Sequence, residues 1–506
     1  MAKVMRFSGV VLLVSLKVLV SLAALSVPVM GVWFASSLAA FFNGPIWLTV
    51  ACGLLFFPVL PLLWDLWATQ RFHRKVANCP PQRKPPERIL MFWDRLVVRT
   101  LVINLALLTT LALAFPERGF MALSTRGDWM LTEAEGGWVE PTRKVLFAAA
   151  GGLEWLYKLS LDNPYSEFAD SETKAPTSDE GGELKTVIPD VVEPKDEQPK
   201  DKKTEDKDVE PKQAPARQAM TWPPPTGLHP LVVNMPPEAE QSIESVAKYI
   251  LENEPEGLWR VKALYDYVAD RIVYDVAALT GHRPSQDAET VFRTRMGVCA
   301  GYAQLLRALG EHTGDEIIYV VGVSRNLEGE VGGGGHAWNA ARVDDKWYLL
   351  DPTWGSGHIT DNAFKKAYNP AYLFTPPNVL LNTHFPDDEG WQLLGEPLSR
   401  GEFMRQPILG ATFFANGMRL LDPSRSQITV GKEATLSFEN PRARFLMASA
   451  SLKGQSQRED CEVVQGPTPT VRCAFKAPGT YQVTFFGNTE RYGSYEFWGR
   501  IEVNGG

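Results

Sequence analysis

The sequence predicts a multi-domain protein with an α-helical membrane region, an α+β core and an all-β C-terminal sandwich. Three observations carry this reading. No charged residue occurs between Lys17 and Asp65. Helical periodicity from about residue 236 gives way to strand-like runs near 316. From about 403 onward, short alternating runs are separated by Gly, Pro and Asn.

Charge divides the chain in the same way. Residues 1–116 hold 11 Lys/Arg against 3 Asp/Glu, whereas the 506-residue chain as a whole is at −8. The remainder must therefore carry −16. An acidic body argues against nucleic-acid binding, which needs a basic surface to neutralise phosphates. Five cysteines exclude a disulfide-dense scaffold and form no CxxC pair. Seven scattered histidines form no HExxH.

The uncharged stretch has room for two membrane spans of roughly 20 residues each. The turn signal Asn43-Gly44-Pro45 splits it into a first span within 8–41 and a second over about 46–66. A third apolar run covers about 98–115 and ends at Pro116. These stretches lack a polar face, which separates them from buried core helices. The loop between spans two and three holds Arg71, Arg74, Lys75, Arg83, Lys84, Arg88 and Arg95, and the N-terminus holds Lys3, Arg6 and Lys17. By the positive-inside rule both face the cytoplasm. The expected protein is thus multi-pass in the cytoplasmic (inner) membrane, with everything after residue 116 on the periplasmic or extracellular side. The first span also resembles a signal peptide, with small residues near Ala24 and Ala40. Residues 117–144, charged but balanced, read as an outer loop. Residues 145–160, interrupted by Glu154 and Lys158, read as an interfacial or core helix; a crossing there would invert the topology.

The domain boundaries that follow are 1–116 for the membrane region, 117–164 for a juxtamembrane segment, 165–228 for a linker, 229–400 for the core and 401–506 for the β domain. The linker is rich in Pro, Lys, Asp and Glu and poor in aromatics. Such a segment buries too little apolar surface to offset its ordering entropy, so an extended, disordered tether is expected.

In the core, residues 238–255 and 257–275 space apolar residues at three and four. Cys299 follows, flanked by Gly297 and Gly301 and by an amphipathic run of Tyr302, Leu305, Leu306 and Leu309. That places it at a helix N-terminus, where the macrodipole and unpaired N–H groups favour a thiolate. By itself a lone Cys is equally a small buried hydrophobe. Then come the strand run 316–324, a Gly-rich loop, the strand run 336–343, an Asp344-Asp345 turn and the strand run from 346. His336 opens one strand of this hairpin and Asp351 closes the other, so pairing brings them side by side. A carboxylate fixes the tautomer of an imidazole, and the imidazole deprotonates a thiol.

GVCAGYAQLL followed by HAWNAARVDDKWYLLDPTWG resembles the transglutaminase-like cysteine enzymes and is most similar to their kyphoscoliosis peptidase-type branch. RIVYDVAA upstream and YLFTPPNVLLNTHFPDDEGWQLL downstream support the likeness, which covers about 236–500 and leaves the membrane region as an addition. The resemblance implies an α+β papain-like/transglutaminase-like core. It implies Cys299 as nucleophile, His336 as general base and acid, and Asp351 as orienting carboxylate. The oxyanion hole would combine the Cys299 N–H with an upstream donor. Animal transglutaminases use a Trp there; Trp259 falls in a helix, so Tyr274 is the nearer candidate. Those enzymes also use calcium, but no DxDxDG-type loop occurs and Asp387-Asp388-Glu389 reads as a solvated turn, so neither metal nor cofactor is expected. His358 and His384 are alternatives to His336, though neither precedes a strand with an Asp at the right remove.

The C-terminal runs indicate an immunoglobulin-like sandwich. Cys461 and Cys473 flank Gly466-Pro467-Thr468-Pro469, and in a hairpin they would form a disulfide. That needs an oxidising compartment, in agreement with the topology from Lys and Arg. The alternative is two unpaired thiols. This domain carries no catalytic constellation and is expected to pack on the core, position substrate or bind a protein partner.

The expected function is a membrane-anchored cysteine peptidase or transglutaminase-type acyltransferase acting on protein or peptide amides. The alternative is a catalytically silent transglutaminase-like protein that serves as a binding or assembly module in the cell envelope. A transporter is disfavoured, because the spans lack internal ionisable residues.

Overall fold

The computed structural model describes residues 22, 24–42, 44–80, 83–132, 134, 136–159, 163–169, 175–176, 181–182, 219–279, 284–325 and 334–505. The chain divides into two compact units, residues 1–162 with 399–405, and residues 163–398 with 406–506.

The first unit opens with three apolar helices, α1 (Ala24–Phe41), α2 (Ile46–Ala77) and α3 (Phe92–Ala114), each long and apolar enough to cross a membrane. They are the three such helices among the described residues; the start of the first expected span lies outside those residues. α2 extends well past residue 66 and carries Arg74 and Lys75 in its last turn. It is broken at Phe57, ahead of Pro58, whose ring supplies no N–H to the helical ladder. Asn104 of α3 donates to the Phe56 carbonyl beside this break at 3.3 Å. The buried Asp65 is paired with Arg95 at 3.0 Å and with Arg99, both on α3, so its charge does not stand alone.

Residues 117–144, expected as an outer loop, are largely helical. Pro116 starts α4 (Pro116–Arg126) in a position where its missing N–H is harmless. Residues 119–126 are buried on every side of that helix, with Arg405 donating to the Ser124 carbonyl at 2.7 Å. The apolar run 145–160 falls in two short helices, α5 (Val139–Gly151) and α6 (Glu154–Lys158). Neither is among the helices long enough to span.

The second unit contains the α+β core. α7 (Ile243–Asn253) is capped reciprocally by Ser242 and Ser245, and α8 (Gly257–Arg271) and α9 (Cys299–Thr313) follow. Five strands, β1 (Glu316–Ser324), β2 (Gly334–Val343), β3 (Lys346–Leu350), β4 (Leu373–Thr375) and β5 (His384–Pro386), form an antiparallel sheet in the order β4-β3-β2-β1-β5. Asp344 and Asp345 turn between β2 and β3 with φ of 50° and 60°, the left-handed pair that matches hairpin twist. Tyr302, Leu305, Leu306 and Leu309 of α9 share one buried core with Val320, Trp338 and Ala340 of the sheet. Each such aliphatic side chain contributes about 1.5–3 kcal/mol on burial. This core fixes the helix that begins at Cys299 against the strand that carries His336.

Most of the expected tether, and most of the Gly-rich loop before His336, lie outside the described residues. Within the tether segment, residues 165–169 form a short turn, Gly182 donates to the Trp347 carbonyl at 2.8 Å, and Trp222 is buried with its indole bonded to the Ala371 carbonyl.

The C-terminal part is two β-sheets around one core. Strands β6 (Ile408–Leu409), β7 (Arg419–Asp422), β8 (Gln427–Thr429), β9 (Glu433–Glu439) and β10 (Phe445–Leu452) are followed by β11 (Arg458–Asp460), β12 (Glu462–Val464), β13 (Thr470–Ala474), β14 (Gly479–Asn488) and β15 (Glu496–Gly505). One sheet runs β6-β15-β14-β10-β11 with β8 parallel to β15; the other runs β7-β9-β13-β12. Leu436, Phe438 and Val471 from one sheet interlock with Val483, Phe485 and Ile501 from the other. Cys461 is disulfide-bonded to Cys473 of β13.

Candidate active site

α9 starts at Cys299 because Val298 before it is still extended. Gln286 holds that start in place: its Oε1 accepts from Val298 N at 2.8 Å and its own amide donates to the Pro284 carbonyl at 2.9 Å. Gly301 is bare for the same reason, since a Cβ there would lie 2.6 Å from Gln286 Oε1 and 2.7 Å from Val291 Cγ2. The carbonyl of Ala303, one turn further on, accepts from the buried Asn339 amide of β2 at 3.0 Å. The helix is thereby pinned to the strand bearing His336.

The register of β2 and β3 ends with Asn339 opposite Leu350. Asp351, one residue past β3, therefore meets His336 diagonally rather than directly across the pair. A diagonal neighbour is within reach of side chains this long. His336 Nε2 lies 2.9 Å from Asp351 Oδ2. With Nε2 engaged, Nδ1 is the ring atom left to serve the Cys299 thiol. The three residues expected to act together are thus brought together, and all three are buried.

Asp351 is held by four donors. Oδ1 accepts from the backbone of Thr353 at 2.8 Å and Trp354 at 3.0 Å, where Asp351 caps a short helix begun by Pro352. Oδ2 accepts from His336 and also from His384 Nε2 at 3.0 Å. Burial pushes the carboxyl pKa up, but His336 and His384 outweigh it and hold it well below the usual carboxylate range. For His336, burial disfavours the charged ring; the Asp351 carboxylate and Cys299 outweigh that and push it up to about 10. Burial pulls His384 below its ordinary value despite the same carboxylate, so it is the neutral imidazole of the two. Its Nδ1 lies 2.9 Å from the Thr383 hydroxyl, which fits the tautomer that donates from Nε2.

His384 is the alternative histidine that joins the site, as a second partner of Asp351. His358 lies exposed on the strand Gly357–Thr360. Trp338, Trp354 and His384 rings surround His336 at centroid distances of 5.9, 5.9 and 5.2 Å, which excludes water from the imidazole. Tyr274 packs on the cluster that holds Cys299, with its ring 6.3 Å from Tyr302. Trp259 packs instead in the α8 core, 6.1 Å from the His229 ring. Asp387 is half-buried and bonded to Asn163 at 3.2 Å; Asp388 caps the turn that follows. His336, Asp351 and His384 are the group whose donor atoms, within 4.8 Å of one another, could hold a metal ion among the described residues. Their mutual hydrogen bonds already satisfy those atoms.

Gln286 was not singled out as a site residue by its pattern, and His384 was weighed only as an alternative to His336. His384 stood in the quoted HFP stretch, but its relation to Asp351 depends on the pairing of β5 with β1.

A buried thiol near an imidazole that is bonded to a carboxylate is an arrangement with the chemistry for acyl transfer. Residues 244–352, which span all three groups, match the family model of the Transglutaminase-like superfamily. The chain carries a transglutaminase-like domain. It is 30% identical over 270 residues to the Kyphoscoliosis peptidase of Mus musculus, covering 50% of this chain and 40% of that protein. The Homo sapiens Kyphoscoliosis peptidase is 29% identical over 271 residues, covering 51% and 40%. The matched stretch thus spans well under half the length of these relatives. A solved structure described as "Crystal structure of a TGase" is 21% identical, covers 27% of this chain and 37% of that one, and has a TM-score of 0.19. In this chain the transglutaminase-like domain is preceded by helices long and apolar enough to span a membrane and followed by the two-sheet β part.

Proposed function

We propose that this protein is a membrane-anchored thiol enzyme that acts on protein or peptide amides through Cys299, His336 and Asp351. The observation that carries the proposal is the bond from His336 Nε2 to Asp351 Oδ2 at 2.9 Å beside the buried Cys299 at the start of α9. In the reaction the Cys299 sulfur forms a bond to the amide carbonyl carbon while His336 holds the proton. The carbonyl oxygen takes the negative charge, for which the Cys299 N–H at the start of α9 and Tyr274 are the candidate donors. Collapse breaks the C–N bond, His336 delivers the proton to the leaving amine, and a thioester remains. Water or a second amine then attacks the thioester, giving hydrolysis or cross-linking. Asp351 holds the ring orientation and stabilises the imidazolium without itself taking a proton.

Three apolar helices and the Lys/Arg distribution support a multi-pass anchor in the cytoplasmic membrane with this domain on the outer side. The Cys461–Cys473 disulfide is in keeping with that side. The two-sheet domain, in this reading an immunoglobulin-like module, would bind a partner or position substrate.

The burial of Cys299, 1% exposed, favours a second reading, a silent domain that binds without reacting. Alkylation of Cys299 in protein from native membranes, followed by mass spectrometry, separates the two. The enzyme reading expects His336→Ala to slow alkylation at pH 7 at least tenfold. Equal rates in the two proteins would leave the binding module.

A further inference from the structure

The residues that bury Cys299 include a segment from outside the helix and sheet of the domain. Asn163, Pro164, Tyr165, Ser166, Glu167, Phe168 and Ala169 run beside the site. Tyr165 is buried in one cluster with Val298, Cys299, Ala300, Ala303, Tyr319 and Ala337, and Phe168 and Ala169 pack on that cluster. The segment begins at His336: a Cβ on the preceding Gly335 would lie 3.0 Å from Asn163 Oδ1 and 3.3 Å from Pro164 Cδ. Asn163 Nδ2 donates to the carbonyl of Gly322, the cross-strand partner of His336, at 2.7 Å. The segment ends over α9, where the Phe168 carbonyl accepts from Gln304 at 3.4 Å and the Phe168 ring packs 6.3 Å from Tyr319. Between these ends the Tyr319 hydroxyl donates to the Tyr165 carbonyl at 3.0 Å. The strap therefore passes from the residue beside His336 to the helix headed by Cys299.

Two of these grips hold main-chain carbonyls of the segment, one from Tyr319 and one from Gln304. Such contacts depend on the presence of a peptide backbone and not on its side chains. The aromatic residue at the first of them, Tyr165, fills the space next to the thiol. Side-chain donors that hold main-chain carbonyls, with a pocket for one side chain, are the means by which a groove binds a short peptide, here one in the tight turn of Ser166–Phe168.

We propose that this groove is a polypeptide subsite and that residues 163–169 occupy it as a resident, displaceable ligand. The subsite takes a segment in a tight turn with an aromatic side chain beside Cys299, gripped through backbone carbonyls by Tyr319 and Gln304. A substrate reaches the thiol by displacing the strap. Directly before the strap in sequence come the helices of the first unit, and directly after it comes the charged Pro-rich stretch, so both flanks can carry a displacing signal. The inference rests on the enzyme reading above, because only a nucleophile needs this access.

The test uses the full chain in native membranes, with Cys299 alkylation by iodoacetamide at pH 7 as readout. Tyr165→Ala combined with Phe168→Ala releases the strap and is expected to raise the alkylation rate at least tenfold. Asn163→Ala removes only the polar anchors and is expected to raise it about threefold; it is read in place of the double variant if that variant unfolds. Adding a synthetic peptide of sequence NPYSEFA at millimolar concentration should restore slow alkylation in the released variants, while a scrambled peptide should not. Unchanged rates in both strap variants overturn the inference. So does acceleration without protection by the peptide, since the segment would then be a wall and not a ligand. His336→Ala in the same series keeps the two levels apart: if it slows alkylation while the strap variants do nothing, the enzyme reading stands and the subsite falls. If His336→Ala is without effect as well, both fall.

Discussion

His384 Nε2 donates to Asp351 Oδ2 at 3.0 Å, the oxygen that also takes the His336 ring at 2.9 Å. One carboxylate oxygen thus serves two imidazoles, only one of which faces Cys299. His384 spreads the charge of Asp351 and so limits how tightly that carboxylate can hold the His336 proton. Removing the donor in His384→Phe leaves Asp351 charged with one partner fewer. The His336 imidazolium should then persist to higher pH, by about one pKa unit given about 1.5 kcal/mol for a hydrogen bond to a charged group. His384→Gln, which keeps an N–H, should restore most of the shift. NMR titration of isotopically labelled histidine reads it directly. The other ionisable groups facing this network, Tyr265, Tyr302, Tyr319 and Tyr372, all have their hydroxyl pKa values raised by burial and stay neutral throughout. A His336 titration that moves in neither variant would reduce His384 to packing.

The same network sets a pH dependence of stability. His336 titrates higher in the folded chain than unfolded, so its contribution is complete below about pH 6.5 and is lost as pH rises toward about 10. Asp351 acts in the opposite sense: its contribution is present above about pH 3.9 and is lost as pH falls through its depressed folded value. Local unfolding of α9, followed by hydrogen exchange, should therefore become easier from pH 7 to pH 9. The slope should flatten in His336→Ala. A profile identical in the two proteins would detach the pair from stability.

Gly301→Ala tests how the nucleophile is seated. The added methyl collides with Gln286 Oε1, which holds Val298 N, and with Val291. Overpacking of this kind costs about 1–3 kcal/mol. It should also move the start of α9, so Cys299 alkylation should lose its dependence on His336. Exchange protection in α9 should fall, while the β part keeps its own. Intact protection and intact reactivity would mean that the helix start has slack the geometry denies.

That Cys299, His336 and Asp351 lie together was legible in the sequence because each stands at the end of an element with strong periodicity. α9 has its apolar stripe, and the β2–β3 hairpin has its Asp-Asp turn. His384 was harder to read. It stands on a three-residue strand whose place depends on a pairing with β1 some sixty residues earlier, and short strands carry almost no period. The strap was harder still, because its mix of polar and aromatic residues has no repeat at either period. The helices after residue 116 were hidden by charge: Glu117, Arg118 and Arg126 suggested solvent, yet residues 119–126 are buried by neighbours distant in sequence. Local pattern reveals where a chain turns or winds, and long-range packing decides what covers it.

The disulfide makes a prediction confined to the β part. Cys461 and Cys473 close a loop of 12 residues, which by loop entropy contributes about 3 kcal/mol. Cys473 is buried in the inter-sheet core, so its reduced thiol would remain packed. Dithiothreitol, or Cys461→Ser with Cys473→Ala, should lower the unfolding midpoint of this part by several degrees. Cys299 alkylation should be unaffected when it is measured after the reductant has been removed. An unshifted midpoint would make the bridge incidental.

Topology joins charge to chemistry. Arg71, Arg74 and Lys75 close α2, Arg83, Lys84 and Arg88 follow it before α3, and Cys79 lies among them with a half-exposed thiol. With the positive loop inside, a membrane-impermeant maleimide applied to intact cells should spare Cys79 and label a cysteine introduced by Thr204→Cys in the charged Pro-rich stretch. After permeabilisation both should react. Charge reversal of Arg71, Arg74 and Lys75 to Glu should weaken this bias and yield a mixed population. In the inverted fraction, the Cys461–Cys473 pair would face a reducing compartment and stay open. One chain labelled at both positions then reports orientation and disulfide state together, and the two should change in step. Labelling of Cys79 from outside with Thr204→Cys protected, in a chain whose disulfide is nonetheless formed, would break the link between the basic loop and the side on which the transglutaminase-like domain works.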